Sequence, residues 1–98
     1  MKIKFTRHAL KIIAERKITL KQISITLKNP DIKTEEEENF IAIYKKFKNL
    51  AIKVVYKEYD DEIKIITAFW IEKERLNKKE LDTKNSELIK YQTKSKIG

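Results

Sequence analysis

Residues 51–70 read AIKVVYKEYDDEIKIITAFW, and this stretch decides the fold. Ile52, Val54, Val55, Tyr56 and Tyr59 make its first half rich in β-branched and aromatic side chains, which suit a pleated, half-buried surface. Asp60-Asp61 supplies turn chemistry. Ile63, Ile65 and Thr67 then alternate with Lys64, Ile66 and Ala68, ahead of Phe69 and Trp70. A period of two on both sides of a turn predicts an antiparallel hairpin. It also puts Lys53 and Val55 on one face, Val54 and Tyr56 on the other, and Thr67 beside Ile63 and Ile65.

Upstream, Phe40, Ala42 and Tyr44 alternate with Ile41, Ile43 and Lys45, which predicts a third strand. Asp31 to Thr34 suits a short strand. Glu35 to Glu38 reads as a solvated turn, because like charges repel and stay wet. Before Pro30 the period becomes helical. Thr6 can cap a helix from about Arg7 to Arg16. Thr19-Leu-Lys-Gln22 is a capping-box pattern that starts a second helix. Asn29-Pro30 ends it, since proline cannot continue the hydrogen-bond ladder. Met1 to Phe5 alternates as a short strand or extended arm.

The expected fold is therefore α+β, with two N-terminal helices packed on one face of a three- to five-stranded antiparallel sheet. Residues 1–76 form one domain. Residues 77–98 are polar, with Leu81, Leu88 and Tyr91 at helical spacing. They read either as a solvated helical tail or as a segment that orders on a partner or on a second copy of the chain.

Composition excludes several chemistries. The 98 residues contain no cysteine, so disulfides and thiolate sites are out, which fits a reducing cytoplasm. The single histidine cannot make a two-histidine zinc site by itself, and no metal site or cofactor is expected. The one glycine is Gly98, so no glycine-rich loop can cradle a phosphate. No signal peptide or membrane span is expected. The net charge of +8 is uneven: residues 1–34 carry nine basic and two acidic residues. Uneven basic charge favours polyanions, nucleic acid first among them.

Candidate chemistry centres on His8. On a helix it shares a face with Lys11, Ile12 and Glu15, with Arg7 beside it and Arg16 about two turns on. An imidazole among cations suits RNA cleavage: the 2′-hydroxyl must lose a proton, the leaving oxygen must gain one, and the phosphorane needs cationic donors. Arginine forks fit phosphate oxygens. The plainer reading makes His8 a helix residue whose ring packs on Phe5 or a strand. Lys53 and Tyr56 are candidates for phosphate contact and base stacking on the sheet. A nucleic-acid- or protein-binding module, with no catalysis, is the alternative function.

The ordered segments FTRHA, AERKIT, LKNPD, KVVY and IITAFW, spread over residues 3–76, resemble a small prokaryotic family known as domain of unknown function 4258. That family looks like a relative of ribonuclease toxins of the RelE and BrnT type. The resemblance implies a RelE-like fold and a metal-independent endoribonuclease acting on RNA, with an antitoxin as partner. By position it implies His8 as acid or base, Arg16 as phosphate clamp, Thr67 as a site-lining hydroxyl and Lys53 as a supporting cation.

Overall fold

One residue separates the first strand from the first helix. In the computed structural model, which describes residues 2–76, Lys2–Phe5 is strand β1 and Arg7–Glu15 is helix α1. Thr6 stands between them in extended backbone, and its hydroxyl accepts from the Ala9 N–H at 2.9 Å. That bond supplies a partner to one of the N–H groups a helix start leaves open. The same hydroxyl donates to the Ile66 carbonyl at 3.4 Å and so ties the helix to the last strand.

Helix α1 stops without a glycine. Lys17 takes the left-handed conformation at φ 55°. Its N–H donates to Ala14 at 3.2 Å, and the next N–H, of Ile18, donates to Ile13 at 3.0 Å. This pair of bonds is a Schellman closure. Ile18 drops into the core behind it. Helix α2, Leu20–Lys28, starts on a reciprocal capping box. Gln22 N–H donates to the Thr19 hydroxyl at 3.0 Å, and Thr19 N–H donates to Gln22 Oε1 at 2.9 Å. Asn29 closes it one residue before Pro30.

Four further strands follow: β2 Ile32–Glu35, β3 Phe40–Lys46, β4 Leu50–Glu58 and β5 Glu62–Glu72. A 3-10 turn at Glu37–Asn39 joins β2 to β3 where the four glutamates begin to meet solvent. The sheet order is β1-β5-β4-β3-β2. Three of its pairings are antiparallel, but β1 runs parallel to β5. The sheet is thus mixed rather than antiparallel throughout. The parallel pairing joins residues some sixty positions apart, beyond the reach of any local pattern.

The main core lies between the helices and one face of the sheet. Ala9, Ile13, Ile18 and Ile23 pack there against Ile43, Ile52, Val54, Tyr56, Ile65 and Ala68. A second, smaller cluster on the other face joins Ile32, Ala42, Tyr44 and Ala51 to Leu76, which follows β5 in a helical turn over 73–76. Lys73 anchors this turn by donating to the Lys48 carbonyl at 2.9 Å. The tail expected over 77–98 lies outside the described residues. Among the described residues, no helix is long and apolar enough to cross a membrane.

One irregularity resets a face. Tyr56 pairs with Ile65, yet Val55 pairs with Thr67, so Ile66 is an extra residue in β5. A bulge of this kind reverses the side-chain parity of everything beyond it. Ile65 and Ala68 therefore both face the helices. Thr67 does not share the face of Ile63 and Ile65, as its spacing suggests, but lies on the opposite one with Val55 and Phe69.

Candidate functional site

The sheet face turned away from the helices carries alternating cations and aromatic rings. Register places Lys53 of β4 between Tyr44 of β3 and Phe69 of β5. Its ammonium lies 5.4 Å from the Tyr44 ring centre and 5.3 Å from that of Phe69. Four residues on, the Lys57 ammonium lies 5.1 Å from the Phe40 ring centre. Ammonium groups over aromatic faces gain about 0.5–1 kcal/mol at exposed sites. Both lysines are half-buried, so their stems pack on the sheet while the charges remain at its surface.

Arg16 joins this face from the helix layer. Strand β1 pairs only with Glu62–Ile65, so β5 runs on beyond its end. There Arg16 donates from Nη1 to the Ala68 carbonyl at 3.0 Å, and its guanidinium carbon sits 5.5 Å from the Phe69 ring centre. The main-chain carbonyl of Arg16 in turn accepts from the Trp70 indole N–H at 2.8 Å. Arg16, Phe69 and Trp70 line a shallow hollow of about 510 Å³. One guanidinium nitrogen is committed to the protein, and the fork has other donors to offer a phosphate.

The opposite end of the sheet has the reverse character. A hollow of about 450 Å³ is lined there by Glu35, Glu36, Glu58 and Asp60, beside Phe40 and Tyr59. Four carboxylates repel a polyanion, so this end bounds the cationic face. Among the described residues, no group of three or more His, Asp or Glu side chains is arranged to hold a metal ion.

The residues singled out from sequence separate into those this face gathers and those it does not. Arg16 and Lys53 meet around Phe69. Thr67 lies on the same face, half-buried opposite Val55. His8 stands exposed in the first turn of α1 and does not line the hollow. Eight residues at 1.5 Å each separate it from Arg16 by about 12 Å along the helix. Arg7 and Lys11 are likewise exposed on α1. Tyr56 belongs to the helix-side core at 5% exposure, so its ring is not offered to a base. Burial, and next the nearby Glu58 carboxylate, hold its phenol above the ordinary value.

Sequence reasoning missed Lys57, Lys64 and Lys4. A signal existed for two of them. Counting outward from Asp60-Asp61 as a two-residue loop sets Lys57 opposite Lys64, and the Tyr59 N–H does donate to the Glu62 carbonyl at 2.8 Å. Lys4 joins them only through the parallel pairing of β1.

Comparison with known proteins gives one positive result. No curated protein and no solved structure matches the chain. The family model described as "Domain of unknown function (DUF4258)" matches residues 5–70, from the end of β1 to Trp70. That span takes in both helices, Lys53 and the whole Arg16–Phe69–Trp70 hollow, and the chain belongs to the DUF4258 family.

Proposed function

We propose that this protein binds RNA on the sheet face opposite its helices. The observation that carries the reading is the Phe69 ring, flanked by the Lys53 ammonium at 5.3 Å and the Arg16 guanidinium at 5.5 Å. Both cations lie over this ring, so a base stacks on it by displacing one of them, and the displaced group then takes an adjoining phosphate; ring and cations together are the combination used by proteins that bind unpaired nucleic acid. The carboxylates at Glu35, Glu36, Glu58 and Asp60 limit the footprint on one side.

The test is fluorescence anisotropy with a short labelled RNA, in chelator and at several salt concentrations. Binding should weaken as salt rises. Phe69→Ala should weaken it about tenfold, since base–aromatic stacking is worth about 1–3 kcal/mol. Lys53→Gln should weaken it at low salt. Absence of binding, or binding indifferent to both changes, rejects the reading.

The same mixture tests a second reading, the toxin-like ribonuclease implied by the family resemblance. It is supported by the exposure of His8 beside Arg7 and Lys11 on α1, where an imidazole could move a proton and neighbouring cations could steady a phosphate, although Arg16 lies too far along the helix to share it. Metal-independent cleavage that disappears in His8→Ala would establish it. An antitoxin partner and a cytoplasmic setting belong to that second reading.

A further inference from the structure

Lys4, Lys64 and Lys57 stand side by side on three neighbouring strands. Lys4 pairs with Lys64 across β1 and β5, and Lys64 pairs with Lys57 across β5 and β4. All three lie on the face away from the helices. Neighbouring strands are about 4.8 Å apart, so the row covers about 10 Å at right angles to the strands. Like charges set directly opposite one another destabilise a sheet. The fold gains little in return. Among the described residues one countercharge reaches the row, Glu62, whose carboxylate lies 3.8 Å from the Lys4 ammonium in an open, solvent-screened pair. At its other end the row abuts the Phe40 ring beneath Lys57. The carboxylate-lined hollow begins immediately beyond.

We propose that Lys4, Lys64 and Lys57 form a phosphate track for single-stranded RNA. Successive phosphates of one strand lie along the row, crossing the β-strands, and the bases turn toward Phe40 and Phe69. The proposal rests on the RNA-binding reading above. It adds the path of the backbone and the strandedness of the ligand. Charge complementarity supplies the first: a line of three cations closed off by carboxylates admits a polyanion along one direction. The rings supply the second, because a paired and stacked duplex has no free base face to lay on them.

The experiment measures anisotropy of labelled oligouridylate against salt concentration. The full chain is compared with a triple variant, Lys4→Gln, Lys57→Gln and Lys64→Gln, and with a charge-matched control, Lys21→Gln, Lys28→Gln and Lys33→Gln, on the helix side. Circular dichroism and thermal melts establish that each is folded. Each phosphate contact on a single strand contributes about 0.7 to the slope of log affinity against log salt. The row variant should therefore lose about 2 from that slope, and the control should lose much less. Phe69→Ala should weaken binding at every salt concentration with the slope kept. Unlabelled duplex of equal length should compete at least about tenfold less well than the single strand. An unchanged slope in the row variant, or an equal loss in the control, overturns the track while RNA binding stands. Equal competition by duplex overturns the strandedness. Failure of the unmodified chain to bind overturns the track and the RNA-binding reading together.

Discussion

Trp70 donates its indole N–H to the carbonyl of Arg16 at 2.8 Å, and Arg16 returns a guanidinium N–H to Ala68, two residues before Trp70, at 3.0 Å. The end of α1 and the far half of β5 are thus held by two bonds running in opposite senses. A helix C-terminus leaves carbonyls without partners, and Trp70 supplies one. Trp70→Phe keeps the ring and removes the donor. It should cost about 0.5–1 kcal/mol, the net worth of a hydrogen bond at an exposed site where water can take the place of the lost donor. It should also loosen Arg16 from Phe69. Denaturant melts read the first effect, and the affinity for RNA at low salt reads the second.

Lys17 occupies a left-handed position that glycine fills without a steric penalty. Lys17→Gly should stabilise the fold by about 0.5–1 kcal/mol, since the relief of left-handed strain outweighs the added freedom of the unfolded chain. A rise in the urea midpoint at constant m-value is the expected result. A fall would mean that the lysine side chain contributes more than its backbone costs.

Tyr56 gives the fold an alkaline limit. Its phenol is held above the ordinary value of 10.0 by burial and then by Glu58. The folded state therefore keeps the proton more tightly than the unfolded state. The resulting stabilisation is complete below the unfolded value and is lost as pH rises through the folded one. Wild type should lose stability above about pH 10 more steeply than Tyr56→Phe. Parallel urea melts between neutral and strongly alkaline pH check this, and the difference between the two proteins removes the contribution of the lysines.

The in-register lysines give a prediction that needs no ligand. Replacing the middle one, Lys64→Gln, should raise stability by a few tenths of a kcal/mol at low ionic strength, because two like-charge pairs disappear together. At about 1 M salt, where the screening length falls to about 3 Å, the gain should vanish. Thermal melts at both salt concentrations provide the comparison.

What sequence carries most clearly is what a few adjacent residues decide among themselves. Thr6, the Thr19–Gln22 box and Asn29-Pro30 each act within one helical turn, and both helices lie where those signals put them. The hairpin turn at Asp60-Asp61 is of the same kind. The parallel β1–β5 contact, by contrast, depends on where the whole chain brings Lys2–Phe5, and the bulge at Ile66 depends on how two strands settle against each other. Those two events decide which lysines become neighbours and which way Thr67 and Phe69 face. Arg16 was visible as a cation, but its attachment to Ala68 and Phe69 was not, because the partner strand passes fifty residues later.

The extra residue in β5 acts as a phase shift along the strand. Ahead of it, Ile63 and Ile65 fill the space under the helices; behind it, Ala68 and Trp70 do. Removing Ile66 would make Thr67 follow Ile65 directly, so the pairs Tyr56–Ile65 and Val55–Thr67 become consecutive rungs and Ala68, Phe69 and Trp70 keep their present faces. A shortening at that one position should therefore be milder than an exchange of the fully buried Ala68 for a large side chain. What the segment must preserve is which side chains face inward, more than its count of residues.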